Sequence, residues 1–133
     1  MNSRKIAVEI LNLVLHEGAY SNIVIRQLLN KYQVGEKDRG LITEIVYGTL
    51  KYKYKLDVIL ANLITKSFKA VDKKVLNILR ISLYQFIYLD KVPEYAIVNE
   101  AVNLAKEISI GASKFVNGVL RAYIRNKNKD FNT

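Results

Sequence analysis

LNILRISLYQFIYLDKVPEYAIVNEAVNLAK, residues 76–106, holds the only proline of the chain, Pro93, between two apolar patterns. Upstream, Leu76, Leu79, Leu83, Phe86 and Ile87 recur at spacings of three and four, which places them on one face of a helix. Downstream, Ala96 or Ile97, then Ala101, Leu104, Ala105 and Ile108 repeat that pattern. Pro93 lacks an N–H and clashes with a preceding helical turn, so one helix cannot run through it. It suits the first turn of a second helix, followed by Glu94, whose charge favours that end. The stretch therefore reads as a hairpin of two very apolar helices. Such helices need cover on most sides, and the remaining segments read as that cover.

Working outward, helix-spaced patterns recur. The first helix spans about Ser3 to His16, with Ser3 as N-cap and Gly18 as the stop. A second, capped by Ser21, covers about Asn22 to Tyr32. A third runs from about Lys37 to Lys53, opened by Glu36 or Asp38. Gly40 and Gly48 lie two turns apart on its face, which points to close approach of another helix backbone. A fourth spans about Leu56 to Thr65. Asp72 caps the first hairpin helix. Ser109 to Ser113 reads as a turn around Gly111, and a last helix runs from about Lys114 to Asn126. No segment alternates with period two over a useful length. The class is all-α, about seven helices with short connections. Residues 1–126 form one domain, and residues 127–133 a polar tail or the start of an interdomain linker.

The 133 residues suffice for one core, and half of them are hydrophobic. There is no cysteine, hence no disulfide frame and no thiolate metal site. That usage fits a reducing cytoplasm. No run approaches the roughly 18 apolar residues of a membrane helix, and the expectation is a soluble protein without a membrane partner. With one histidine, His16, nucleophile–base pairs are nearly excluded; His16 itself reads as solvated or as a partner of the helix dipole. Phosphate-cradling glycine motifs are absent. The chain alone is expected to be no enzyme, with no catalytic residue, metal or cofactor of its own.

The formal net charge is +9, from 21 Lys and Arg against 12 Asp and Glu. A field of that sign attracts polyanions, nucleic acid first. A solubilised lysine-rich surface would give the same count, since 15 of the 21 are lysine. Lys51, Lys53 and Lys55 alternate with Tyr52 and Tyr54. That pattern admits two readings: rings for bases with ammoniums for phosphates, or a solvated helix end where cations favour the dipole. Arg80, Asn99, Glu100 and Asn117 sit inside apolar helices and read as polar ties between helices. Arg80 and Glu100 must then be paired or at the surface.

DRGLITEIVYGTLKY (38–52), LRISLYQFIYLDKVPEYAIVNEAVNLAK (79–106) and KFVNGVLR (114–121) together resemble the NusB-like domain. The version with VYGTL and LYQ is most similar to the N-terminal domain of the RsmB (Sun/Fmu) small-subunit ribosomal RNA cytosine-C5 methyltransferases. The resemblance implies two packed helical subdomains that help bind ribosomal RNA. It also implies an S-adenosylmethionine-dependent catalytic domain that this chain does not contain. The basic, polar ending NKNKDFNT suits a cut at an interdomain linker. Likeness to free-standing NusB implies the alternative of a transcription antitermination factor that binds RNA and ribosomal protein S10, with Arg4 and Lys5 in the RNA-binding region. Arg39, Glu44, Arg80, Asn99, Glu100 and Asn117 match the family's recurrent polar positions and read as structural. Arg4, Lys5, Arg26, Lys51, Lys53, Lys55, Arg121 and Arg125 are the candidate RNA contacts, with the start of the first helix and the last helix expected to share one basic face.

Overall fold

The computed structural model describes residues 2–127; residues 128–133 of the expected tail lie outside the described residues. Seven α-helices follow one another: α1 (Ser3–Glu17), α2 (Ser21–Lys31), α3 (Glu36–Lys51), α4 (Lys53–Leu63), α5 (Lys73–Tyr88), α6 (Glu94–Lys106) and α7 (Ile110–Asn126). No strand occurs among the described residues.

Helix ends follow local hydrogen-bond supply. Asn2, not Ser3, caps α1: its Oδ1 accepts from the Lys5 N–H at 3.0 Å. Gly18 closes α1 with φ of 72°, a left-handed conformation that glycine adopts without a Cβ penalty. Ser21 is already helical, and Tyr20 before it gives no side-chain cap. Asp72 caps α5 as expected, accepting from Lys74 N–H at 2.8 Å and Val75 N–H at 3.2 Å. Pro93 stands at the N-cap of α6.

Two boundaries differ from expectation. The helix expected to reach Lys53 ends at Lys51, and α4 begins at Lys53 after the single non-helical residue Tyr52. The span expected as a turn around Gly111 is the first turn of α7, because the Ser109 hydroxyl accepts from the Ala112 N–H at 2.9 Å and caps it.

The cover predicted for both hairpin helices falls on α5 alone. All eleven positions from Val75 to Gln85 are buried, whereas α6 buries one stripe: Ile97, Val98, Ala101, Leu104 and Ala105. Helices α1, α3, α4, α6 and α7 all pack on α5. α1 also holds α2 and α3, and α6 lies along α7, so α5 is the shared spine of two helical groups. Leu79 and Leu83 are fully buried on it. Each such side chain contributes about 1.5–3 kcal/mol relative to exposure.

The paired glycines of α3 do not share a role. A Cβ on Gly48 would collide with the ring of Tyr84, so this glycine makes room for a side chain rather than for a helix backbone. A Cβ on Gly40 would meet nothing within 4 Å.

Candidate nucleic-acid interface

The net charge is unevenly placed along the chain. Residues 51–71 carry five lysines and one carboxylate, Asp57; residues 108–127 carry four cations and no carboxylate. Together these two segments hold +8 of the formal +9 and leave the rest nearly neutral. The fold then joins them: α4 packs on α7, and Lys66 Nζ lies 4.5 Å above the ring of Phe115, holding the connection after α4 to the start of α7. Asp57 is turned inward onto Arg80 and Lys53. Lys51, Lys55, Lys66, Lys69, Lys114, Arg121 and Arg125 are exposed, and no carboxylate pairs with them among the described residues. A polyanion meeting this face finds cations that no internal acid neutralises.

The start of α1 is different. Arg4 is half-buried; its Nε donates to Gln85 Oε1 at 3.0 Å and lies 3.3 Å from Glu100 Oε2. The single Nε–H is aimed at Gln85, so the contact with Glu100 is a charge contact rather than a hydrogen bond. Lys5 Nζ donates to Glu107 at 2.7 Å, and that carboxylate raises the Lys5 pKa. The other end of α6 binds Lys127 through Glu94 at 2.6 Å. Glu100 of α6 and Glu107 just past its end thus take up Arg4 and Lys5. The structure does not join the α1 start and α7 into one free basic face. Arg26 is exposed on α2, which packs against α1.

The Lys–Tyr alternation splits in two. Tyr52 stacks on Tyr88 at 4.4 Å, Tyr88 on Tyr84 at 5.1 Å, and Lys51 and Lys55 lie over Tyr52 and Tyr88 at 5.3 and 5.5 Å. Lys53 pairs with Asp57 at 3.1 Å, one turn along α4. Tyr54 stands 75% exposed. Only Lys51 sits in the last turn of a helix; Lys53 and Lys55 open α4, at the end where the dipole disfavours cations. The solvated-helix-end reading therefore fails for these two.

The polar positions inside the helices do unequal work. Arg80, 4% exposed, ties α5 to α4: Nε donates to Asp57 Oδ1 at 2.7 Å and Nη2 to Oδ2 at 3.1 Å. Its Nη1 donates to Asn77 Oδ1 at 2.8 Å, which fixes the amide so that Asn77 Nδ2 faces Asn12 Oδ1 at 2.6 Å and His16 Nε2 at 3.1 Å. Arg39 reaches the end of α2, donating to Leu29 O at 3.5 Å and Asn30 Oδ1 at 3.3 Å. Asn117 accepts from Arg121 Nε at 3.4 Å, within its own helix. Glu44 and Asn99 are exposed and tie nothing to the core.

His16 is partly buried and is not a charged dipole partner. Its Nε2 faces an amide N–H, which a protonated imidazole could not accept. Burial lowers its pKa, and Lys73, Arg80 and Lys53 add to the effect. A histidine whose folded pKa lies below its unfolded value binds fewer protons when folded, so stability is lost as pH falls through the unfolded pKa of about 6.5. Thermal stability is expected to fall between pH 7.5 and 5.5, above the range where carboxylates titrate. His16→Gln is expected to flatten that fall. A melting temperature independent of pH over that window would contradict the assignment.

Among the described residues, no group of three or more His, Cys, Asp or Glu could hold a metal ion, and no helix is long and apolar enough to cross a membrane. An open groove of about 450 Å³ lies between α1, the start of α5 and the end of α6. Its walls include Val8, Leu13, Ile78 and Leu104, and its charges are mixed, with Lys5 and Lys74 set against Glu9, Glu17 and Glu107. It does not offer the one-signed field that a polyanion needs.

Lys51, Lys55, Arg121 and Arg125 are among the contacts expected from the sequence; Lys66, Lys69 and Lys114 are not. The signal that finds them is the absence of acids: no carboxylate occurs from residue 58 to 71 or from 108 to 127.

Comparison with known proteins agrees with this architecture. The model of the NusB family matches residues 1–125. A probable ribosomal RNA small subunit methyltransferase B of Bacillus subtilis is 43% identical over 123 residues, covering 92% of this chain and 27% of that protein. Its counterpart in Synechocystis is 35% identical over 94% of this chain and 28% of its own length. The chain thus spans little more than a quarter of these relatives. Among solved structures, the antitermination factor NusB, crystallised with NusE and double-stranded RNA, superposes with a TM-score of 0.83 at 21% identity over 92% of this chain and 93% of that one. A Thermotoga maritima NusB superposes at 0.81, with 18% identity over 99% and 94%.

Proposed function

The chain belongs to the NusB family, and from that premise we propose that it is the non-catalytic RNA-binding domain of a cytoplasmic small-subunit ribosomal RNA (cytosine-C5) methyltransferase. Its ligand is ribosomal RNA. In this reading the methyl transfer from S-adenosylmethionine belongs to a catalytic domain outside this chain, and the present residues supply affinity and placement. The observation that carries the reading is the charge distribution: +8 of +9 lies on two packed segments, and seven of their exposed cations, all but Lys127, have no carboxylate partner among the described residues. Phosphate contacts of that kind give affinity without sequence preference, and each is worth about one unit in the slope of log affinity against log salt. The relatives favour the methyltransferase setting over the antitermination one, because the relatives at 43% and 35% identity carry the methyltransferase name.

The test is binding to small-subunit ribosomal RNA fragments across a salt series. The native chain is expected to lose affinity steeply as salt rises. The triple variant Lys55→Gln, Arg121→Gln, Arg125→Gln should reduce the slope by about three. Affinity insensitive to salt, or a triple variant indistinguishable from native, would contradict the reading. Capture of ribosomal protein S10 with native affinity intact would favour the antitermination alternative instead.

A further inference from the structure

α7 carries a feature that packing does not require. Gly118 stands in the middle of a 17-residue helix, where glycine costs about 1 kcal/mol relative to alanine. It is exposed, its φ is not in the left-handed region, and a Cβ there would meet nothing within 4 Å. Neither a neighbouring helix nor a turn explains it.

Its surroundings are cationic. Lys114 lies four residues before it, Arg121 three after and Arg125 seven after, so all four positions share one exposed face. The three cations span about 16 Å of helix axis, with the glycine between the first two. α7 contains no carboxylate at all. Arg121 Nε donates to Asn117 Oδ1 at 3.4 Å, which holds the guanidinium beside the glycine. Gly40 on α3 is the internal contrast. It is just as open, but Glu36 and Glu44 flank it one turn on either side, a setting that repels phosphate.

We propose that α7 seats an RNA sugar–phosphate backbone along its outer face, with the strand pressed against the bare helix backbone at Gly118 and held by Lys114, Arg121 and Arg125. This rests on the RNA-binding reading and adds to it a contact point and a mode. The strand is gripped by its phosphates, and the missing side chain sets how closely it approaches. A side chain at 118 would hold the phosphates away from the three cations, and their attraction falls with distance.

The experiment compares Gly118→Leu, Gly118→Ala and the control Gly40→Leu with the native chain, using fluorescence anisotropy with a labelled small-subunit ribosomal RNA fragment. Thermal melts run in parallel. All three variants should melt at or above the native temperature, since each replaces an open helical glycine with a better helix former. Gly118→Leu should bind at least about tenfold more weakly and lose about one to two units of salt slope. Gly118→Ala should fall between it and native, and Gly40→Leu should bind as native does. If the native chain binds and Gly118→Leu binds equally well, the seat on α7 is wrong while the RNA-binding reading stands. An equal loss in Gly40→Leu also overturns the seat. If the native chain does not bind, both fall together.

Discussion

Asp57→Ala is expected to destabilise the fold by about 3–5 kcal/mol, because it strips a buried guanidinium of its counter-ion. The Arg80 side chain is 5% exposed and that of Asp57 19%. The two make a two-pronged contact, 2.7 and 3.1 Å, the geometry in which arginine pairs are strongest. Without Asp57, Arg80 keeps only Asn77 Oδ1 as a side-chain acceptor. The loss should spread along the connected groups, since Asn77 also holds Asn12 and His16. Removing both charges is a different perturbation. Asp57→Ala with Arg80→Met should recover much of the loss, because no charge is then left unpaired in the interior. Urea unfolding of the two single variants and the double variant decides this. An Asp57→Ala protein within about 1 kcal/mol of native would show that the pair is solvated and that α4 is not tied to α5 through it.

Gly48→Ala is expected to cost about 2–3 kcal/mol despite the better helix propensity of alanine. The new methyl would overlap the ring of Tyr84. That ring has little freedom to retreat: it is buried in the core and stacked on Tyr88, which is stacked in turn on Tyr52. Overpacking in such a place forces the helices apart or the ring off its rotamer. Gly40→Ala, one helix position of the same kind but open, should instead stabilise by up to about 1 kcal/mol. Tyr84→Leu should remove most of the penalty at position 48. If Gly48→Ala and Gly40→Ala shift the melting temperature by the same amount in the same direction, Tyr84 does not occupy the space that glycine leaves.

The helices were legible because this fold is built from strong local signals. The spacing around Leu76 to Ile87, the break at Pro93 and the Asp72 cap each act within a few residues, and the structure keeps all three. Errors fell where a boundary depends on which of two neighbouring polar groups wins. Asn2 outcompeted Ser3 as the cap, and Ser109 turned an expected loop at Gly111 into helix. The break at Tyr52 has no glycine or proline to announce it; what accompanies it is a tertiary stack on Tyr88, 36 residues away. The interface was less legible. Arg4 and Lys5 look free in sequence, but their charges are met by Glu100 and Glu107 once α1 packs beside α6. Conversely, the acid-free stretches around Lys66, Lys69 and Lys114 are visible in the sequence, but that they form one face is visible only when α4 and α7 come together. Pairing between helices decides which cations remain available, and no single-chain count contains that information.

Lysine acetylation footprinting of the chain with and without a small-subunit ribosomal RNA fragment tests the central claim most directly. Lys51, Lys55, Lys66, Lys69 and Lys114 should be protected by RNA, while Lys31, Lys37 and Lys106 keep their reactivity. Protection concentrated at Lys5 and Lys74, with the α4 and α7 lysines as reactive as in the free protein, would place the RNA elsewhere and contradict the account.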